Sequence, residues 1–269
     1  MSFLVIGGDG LLGGELCRHW RSLGREVNFT TLQTFDLSGD VEAWTPPAGA
    51  SVALIFAAIP DQEKCRREPE ATRRINVEQT IKLARRLAEL GCFVVFPSTN
   101  LVFDGSAPRP RPEDPVSPAT AYARQKSDAE EGLLELGENI AIVRLTKVVH
   151  ERLPLLVKWR EALSRGEMIR PFNNYICSPI SLAYTILGIA AVAEARARGI
   201  WHLSAADELP YSGLAELLAR RHGFASSLIQ PSPAPPGALE HLPRHATLDM
   251  SGTATALWLS IPMASQALD

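Results

Sequence analysis

Residues 3–13 are Phe3-Leu-Val-Ile-Gly-Gly-Asp-Gly-Leu-Leu-Gly13, a short apolar run that leads directly into closely spaced glycines. The apolar run predicts a buried β-strand, and Leu11–Leu23 has the apolar spacing of a helix. A strand that passes through glycines into a helix is typical of dinucleotide folds. The glycines permit a tight turn, and the helix start brings free N–H groups to the pyrophosphate. We therefore predict dinucleotide contacts at Gly7, Gly10, Leu11, Leu12 and Gly13.

Strand and helix patterns alternate through the first 145 residues. Four further short runs predict strands, at Glu26–Thr31, Ser51–Ala58, Cys92–Pro97 and Ile140–Leu145. Helical patterns cover Glu70–Leu90 and a stretch that begins at Ser117-Pro118, an N-cap followed by proline, and continues to about Leu136. Apolar strands separated by helices are typical of a parallel sheet that is covered on both faces. The predicted fold class is α/β, a doubly wound parallel sheet (Rossmann fold) with a smaller C-terminal substrate lobe.

After Leu145 the alternation is less regular. Helices are predicted at Pro154–Arg165, Ser181–Arg198 and Leu214–His222, and a strand at Gly199–Ser204. Pro231–Gly237 is too rich in proline for a helix or a central strand, and it predicts a loop. We predict a dinucleotide-binding domain of residues 1–150, which also takes in about 176–204. The smaller substrate-binding lobe is then formed by residues 151–175 and 205–269.

The composition excludes several classes of protein. The 269 residues are 46% hydrophobic and 21% charged with a net charge of −3, so no basic excess points to nucleic acid or an anionic membrane. No apolar run approaches the roughly 18 residues that a membrane-spanning helix needs. Four scattered cysteines without a Cys-x-x-Cys pair indicate free thiols in a reducing cytoplasm. We expect a cytoplasmic protein that binds no metal, since the histidine and acidic residues show no metal-ligand spacing.

Tyr122-Ala-Arg-Gln-Lys126 carries the predicted acid–base chemistry. A tyrosine and a lysine one helical turn apart lie on the same helix face. A nearby ammonium stabilises a phenolate and lowers the pKa of the phenol, which makes it a proton donor or acceptor. Ser98 and Thr99 end a predicted strand, so their hydroxyls are expected at the carboxyl edge of the sheet, where ligands bind. The predicted catalytic residues are Tyr122, Lys126, Thr99 and Ser98.

The tip of the second predicted strand bears on the choice between NAD and NADP. Its sequence, Asn28-Phe-Thr-Thr31, contains no acidic residue, and the nearest acid is Asp36. Dinucleotide folds that select NAD usually carry an acid at this tip, which hydrogen-bonds the 2′-hydroxyl of the ribose. Without the acid a 2′-phosphate meets no repulsion, and Thr30 or Thr31 offers it a hydroxyl. No arginine follows, so the pattern favours NADP only slightly over NAD.

Eight segments, in order along nearly the whole chain, resemble the extended short-chain dehydrogenase/reductases, specifically the dTDP-4-dehydrorhamnose reductase branch of the epimerase/dehydratase family. They are Ile6–Gly13, Phe56–Ala58, Lys64–Pro69, Ile75–Val77, Ser98–Gly105, Arg144–Thr146, Gly199–Ser204 and Pro243–Asp249. Ser98-Thr-Asn-Leu-Val-Phe-Asp-Gly105 is similar to the Ser-Thr-Asp-Tyr-Val-Phe-Asp-Gly signature of that branch. The resemblance implies an NAD(P)-dependent oxidoreductase that reduces a carbonyl group of a sugar or nucleotide-sugar.

The resemblance also implies roles at the matching positions. Thr99, with Ser98, binds the substrate oxygen, Tyr122 exchanges the proton, and Lys126 holds the nicotinamide ribose. Further cofactor contacts are implied at Asp36, Leu37, Ala57, Ala58, Ile59, Asn76, Thr146 and Val148, and Thr30 is expected to contact the cofactor from its place at the strand tip. Substrate contacts are expected at Asp61, Asn100 and Arg244.

Two departures from the branch leave alternatives open. Asn100 and Leu101 replace its Asp and Tyr, and they also cannot supply the Asp-Glu pair that sugar dehydratases use, so dehydration is not expected. Epimerisation needs only the Tyr/Lys pair and stays open. A catalytically silent NAD(P)-binding regulatory protein is the other alternative, although the retention of Tyr122 and Lys126 disfavours it. We keep a homodimer as the candidate assembly.

Overall fold

The structure is a computed structural model that describes residues 1–268. In chain order its strands are β1 Ser2–Ile6, β2 Glu26–Phe29, β3 Val52–Ile55, β4 Phe93–Thr99, β5 Ile140–Leu145, β6 Lys147–Val149, β7 Ile176–Cys177, β8 Pro179–Ser181, β9 Gly199–Leu203 and β10 Leu209–Pro210. The α-helices are α1 Leu11–Ser22, α2 Gln62–Arg67, α3 Pro69–Arg73, α4 Thr80–Glu89, α5 Ala121–Leu134, α6 Pro154–Ser164, α7 Leu182–Ala195, α8 Tyr211–His222 and α9 Ser251–Leu257.

A six-stranded sheet has the order β2-β1-β3-β4-β5-β9. β1 pairs in parallel with both β2 and β3, and β3 pairs in parallel with β4. The strand order reverses at β1, because β2 is added on one side of it and β3 on the other. Ligands of such sheets bind beyond the carboxyl ends of the strands at this reversal. The predicted α/β class with a parallel sheet is confirmed, and the reversal lies where the glycine loop leaves β1.

The strands form because their side chains are apolar and buried on both faces. All residues of β3 and β5 are buried, as expected for strands in the interior of a parallel sheet. Helix α1 packs on β1 through Trp20, whose ring stacks on Phe3 with 3.8 Å between ring centroids. The indole N–H of Trp20 donates to Glu194 at 2.8 Å, so this fully buried side chain also satisfies its polar group.

The chain divides into two compact units. The first contains residues 1–102, 115–144 and 186–201, and the second contains residues 103–114, 145–185 and those from His202 onward. The first unit holds the glycine loop and strands β1–β4. The second has two two-stranded sheets, β10-β7 and β6-β8, and a core of its own that includes Leu156, Leu214 and Leu218. The predicted domain bounds, with 1–150 and about 176–204 in the dinucleotide-binding part, stay a prediction.

Two predicted helices differ from the structure. The continuous helix expected over Glu70–Leu90 is interrupted by a wider π-helical turn at Arg74–Gln79, between α3 and α4. The helix expected from Ser117-Pro118 begins only at Ala121. Its N-cap is Thr120, whose hydroxyl accepts from the Ala123 N–H at 3.2 Å. Ser117 instead donates its N–H to the Val102 carbonyl at 2.8 Å, which holds this residue outside the helix.

No helix among residues 1–268 is both long enough and apolar enough to cross a membrane.

Candidate active site

The glycine loop is shaped by close backbone contacts. Gly7 follows β1 with φ +85°, and a Cβ atom there would lie 3.0 Å from the Ala57 nitrogen. A Cβ atom on Gly13 would lie only 2.3 Å from the Gly7 oxygen. Gly10 caps α1 without a side-chain hydrogen bond, and the first turn contains no acidic residue. The first N–H groups of this 12-residue helix therefore lack a side-chain cap, as at a helix start that binds an anion such as pyrophosphate.

Thr30 holds the glycine loop through two hydrogen bonds. Its hydroxyl accepts from the Gly7 N–H at 3.1 Å, and its carbonyl accepts from the Gly8 N–H at 2.8 Å. The side chain is buried, with 4% of its surface exposed. Thr30 was predicted to contact the cofactor, and this contact stays a prediction; in the structure its hydroxyl accepts an internal hydrogen bond. It fixes the distance between the tip of β2 and the glycine loop.

Asp36 and Leu37 follow β2, and their side chains have opposite environments. Leu37 is buried in the core of the first unit. Asp36 is exposed and accepts from the Ser38 N–H at 2.8 Å. Hydrogen bonds from the Ser38 backbone N–H and hydroxyl lower the pKa of the Asp36 carboxyl group. The carboxylate therefore stabilises its own turn, and the predicted contact with adenine stays a prediction.

Ala57, Ala58 and Ile59 follow β3 and are half-buried or exposed beside the glycine loop. The segment is held by Asn76, which is 1% exposed. The Ile59 N–H donates to Asn76 Oδ1 at 2.8 Å, and Asn76 Nδ2 donates to the Ile59 carbonyl at 3.0 Å. The predicted contact of Asn76 with the cofactor stays a prediction; in this structure its side chain holds the segment after β3.

Gln125 extends this polar network and was missed by the sequence reasoning. Its Oε1 atom accepts from Asn76 Nδ2, and its Nε2 atom donates to the Thr72 hydroxyl, both at 2.8 Å. The π-helical turn carries Asn76 into the network, which links the segment after β3 to α5. The signal in the sequence was a glutamine directly before Lys126.

Lys126 lies on α5 with 3% of its surface exposed. Its ammonium donates to the Pro97 carbonyl at 2.7 Å and lies 3.5 Å from the centroid of the Phe96 ring. Burial lowers the pKa of Lys126 to about 7, although the nearby Glu130 carboxylate opposes the shift. These contacts join α5 to the end of β4, so the lysine is directly beside the strand that carries Ser98 and Thr99.

Tyr122 is one helical turn before Lys126, on the same face of α5. Burial raises the pKa of its phenol to about 12, and the neighbouring Cys65 thiol adds to the shift. We expected the lysine to lower the pKa of the tyrosine. In this structure burial outweighs any such effect, and the ammonium is hydrogen-bonded to Pro97. The phenol is therefore protonated at neutral pH, as a proton donor must be.

Ser98 and Thr99 end β4 and are buried. Thr99 Oγ1 accepts from the Leu101 N–H at 3.2 Å. Ser98 Oγ is buried, and it has no hydrogen-bond partner among residues 1–268. An unsatisfied buried hydroxyl costs about 1–3 kcal/mol and is uncommon in folded proteins, except at functional sites. Asn100 follows in a short 3₁₀ turn and is half-buried.

A buried ion pair behind Lys126 was also missed by the sequence reasoning. Arg144 on β5 donates to Glu130 on α5, with Nη2 at 2.8 Å and Nε at 3.1 Å from Oε2. Their side chains are 3% and 4% exposed. Glu130 follows Lys126 by one helical turn, so the pair sets the charge around the lysine. A glutamate four residues after the lysine was the available signal.

The remaining predicted residues are more peripheral or lie in the second unit. Asp61 is exposed and caps α2 by accepting from the Lys64 N–H at 2.9 Å. Thr146 is buried, Val148 half-buried and Arg244 exposed, all in the second unit, and their contacts stay predictions. Among residues 1–268, no group of three or more His, Cys, Asp or Glu side chains is placed to hold a metal ion.

Comparisons with known proteins bear on the family and the fold of the chain. The family model described as RmlD substrate binding domain matches residues 1–269. Methionine adenosyltransferase 2 subunit beta of Pongo abelii is 25% identical over 276 residues, which cover 92% of this chain and 80% of that protein. A dTDP-4-dehydrorhamnose reductase of Mycobacterium tuberculosis is 26% identical over 204 residues, 73% of this chain and 67% of that protein. The crystal structure of dTDP-4-dehydrorhamnose reductase from Bacillus anthracis, in complex with NADP, has a TM-score of 0.91 at 17% identity, and the match covers 99% of this chain and 97% of that chain.

Proposed function

The chain belongs to the RmlD substrate binding domain family, and we propose that it is an NAD(P)-dependent oxidoreductase that reduces a carbonyl group of a sugar or nucleotide-sugar. One observation carries the proposal. Lys126 is hydrogen-bonded to the end of β4, and Tyr122 lies one turn away on the same helix face. The pair is in the same compact unit as the glycine loop.

The residues present fit a dinucleotide. The cradle between β1, β3 and α1 leaves no room for a Cβ atom on Gly13, and the start of α1 has no side-chain cap. Gly7, Gly10 and Gly13 would hold the pyrophosphate, and the segment after β3 would form the facing wall. When bound, the reduced nicotinamide supplies a hydride.

The reaction requires three contributions from the protein's own residues. The hydroxyl of Thr99, with that of Ser98, would hold the substrate carbonyl oxygen at the end of β4. Tyr122 would donate its phenolic proton to that oxygen as the carbonyl becomes an alcohol. Burial raises the pKa of the phenol to about 12, so the phenol carries its proton at neutral pH. The Lys126 ammonium would stabilise the phenolate that remains.

Tyr122→Phe tests the proton donor. Turnover of keto-sugars and of their nucleotide conjugates should fall by about 10²–10⁴-fold, which is the usual contribution of a positioned acid, while coenzyme affinity stays within about twofold. Tyr184→Phe is the matched control, because this hydroxyl contacts the Met250 sulfur in the second unit. A Tyr122→Phe enzyme that keeps turnover within a few-fold of wild type contradicts the assigned role.

A second candidate is a redox-silent NAD(P)-binding regulatory protein. It is favoured by the relative that is named as a subunit of methionine adenosyltransferase. Such a protein would bind the dinucleotide but turn over no substrate in the carbonyl panel. An epimerase of the same superfamily would use the Tyr/Lys pair and leave the amount of reduced coenzyme unchanged. Coenzyme consumption and product stereochemistry, measured together, separate the three functions.

A further inference from the structure

We propose that Asp9 makes the site selective for NAD over NADP by presenting a carboxylate to the 2′ position of the adenosine ribose. The inference rests on the proposed function, since it assumes that the glycine loop binds a dinucleotide. The tip of β2, Asn28–Thr31, contains no Asp or Glu that could bind the ribose 2′-hydroxyl.

The folded loop supplies this acid from a different part of the chain. Asp9 lies between Gly8 and Gly10, and its Oδ2 atom accepts from the Leu32 N–H at 3.1 Å. Leu32 is three residues beyond the end of β2, so the carboxylate is held at the tip of that strand. In dinucleotide folds an acid at this tip accepts a hydrogen bond from the ribose 2′-hydroxyl.

The carboxylate also keeps one oxygen available. Asp9 is exposed, and its Oδ1 atom has no hydrogen-bond partner among residues 1–268. A 2′-hydroxyl can donate to this oxygen. A 2′-phosphate carries only acceptors near neutral pH, so it would meet the carboxylate as a like charge.

The groups that would bind a 2′-phosphate are buried or engaged elsewhere. The Thr30 side chain is buried, with 4% of its surface exposed. Arg21 donates to the Val27 carbonyl at 3.4 Å and lies 4.9 Å from the Phe29 ring centroid. Arg18 is paired with Glu15 on the surface of α1. No Lys or Arg occurs between residues 26 and 63, so no cation follows the tip of β2 in the chain.

Arg74 and Lys82 are the cations that line a cavity of about 380 Å³ beside Ser38–Glu42. Asp40 and Glu42 line the same cavity, so its two positive charges are matched by two negative ones. The cavity therefore offers no excess of positive charge for a phosphate. Together with the Asp9 carboxylate and the absence of Lys and Arg from residues 26–63, this balance favours a ribose with a free 2′-hydroxyl.

Asp9→Asn removes the charge and keeps an oxygen that can accept from the Leu32 N–H. Wild-type protein and the variant are titrated with NADH and with NADPH, following the fluorescence of the bound reduced nicotinamide. We expect wild-type protein to bind NADH at least tenfold tighter than NADPH. The variant should bind NADPH at least fivefold tighter than wild type does, and its preference for NADH should fall. Glu89→Gln, the same change of charge at the end of α4, should leave both affinities unchanged.

Three outcomes overturn the inference. The selectivity is refuted if wild-type protein binds NADPH as tightly as NADH. The role of Asp9 is refuted if folded Asp9→Asn keeps the wild-type preference for NADH. Asp9→Ser repeats the test if Asp9→Asn does not fold. Binding of neither dinucleotide to wild-type protein overturns the proposed function and, with it, this inference. The first two outcomes leave the proposed function standing.

Discussion

Replacement of Lys126 by methionine should change the pH dependence of stability. Lys126 is buried, and its ammonium contacts only the Pro97 carbonyl and the Phe96 ring at short range among the residues the structure describes. A charge in this environment loses its hydration, and burial accordingly lowers the pKa of the lysine from 10.5 to about 7. Methionine has a similar length and no charge, so it removes the titration and keeps most of the packing.

The direction and size of the effect follow from the pKa. Between pH 7 and pH 10.5 the unfolded chain binds a proton at Lys126 that the folded chain has released. Stability therefore rises with pH in this window, by about 1.4 kcal/mol for each pH unit above 7. From about pH 6 to about pH 8.5 the lysine should add about 2 kcal/mol to the free energy of unfolding of the wild-type protein. Lys126→Met lacks this rise. The free energy of unfolding of the variant, relative to that of wild type, should therefore fall by the same amount between the two pH values.

Denaturant unfolding of both proteins at the two pH values measures this difference, and other titrating groups cancel between them. Lys82→Met, at an exposed position of α4, is the matched control and should follow wild type at both pH values. The reasoning is refuted if the difference in unfolding free energy between wild type and Lys126→Met is the same, within about 0.5 kcal/mol, at both pH values.

Three further predictions concern the framework around the site. Gly13→Ala places a Cβ atom 2.3 Å from a backbone oxygen and should cost about 1–3 kcal/mol and abolish dinucleotide binding. Gly14→Ala, whose nearest contact is 3.1 Å, should cost less, because alanine favours the helix; thermal melts compare the two. Arg144→Met leaves Glu130 buried without its partner and should cost about 3–5 kcal/mol in denaturant unfolding, more than the double variant Glu130→Gln/Arg144→Met. Asn76→Ala unpairs the backbone after β3 and should cost about 1–3 kcal/mol and weaken dinucleotide binding in a fluorescence titration.

The sheet could be predicted because its signals are local. Ile140–Leu145 is a continuous apolar run, and the strand has the predicted bounds. The run at 51–58 also forms a strand, although only Val52–Ile55 is extended, because the chain turns beside Gly7. The π-helical turn at Arg74–Gln79 contains no glycine or proline, the residues that usually mark an interruption of a helix, so it was not predicted.

The candidate site was predicted less completely, because several of its contacts join distant parts of the chain. Tyr122 and Lys126 share one helix, so their spacing alone predicts a common face. The local sequence predicts that Thr30 lies at a strand tip. It does not predict that the Thr30 hydroxyl accepts from the N–H of Gly7, 23 positions earlier. Asp9 reaches the same strand tip across the same sequence separation. Hydrogen bonds of this kind depend on the register of β1 against β2, which no single segment determines.

The buried charges behind the site explain why a costly lysine is compatible with the fold. Arg144 contacts both oxygens of Glu130, so this pair is nearly neutral as a unit. The Glu130 carboxylate opposes the fall in the pKa of Lys126 but does not cancel it. Lys126, Glu130 and Arg144 together therefore carry one positive charge in excess when the lysine is protonated, beside the end of β4. Such a charge destabilises the resting protein, and in the proposed reaction it would stabilise the phenolate that Tyr122 becomes on proton transfer. A stability cost at a position that serves the reaction is the usual trade-off at active sites.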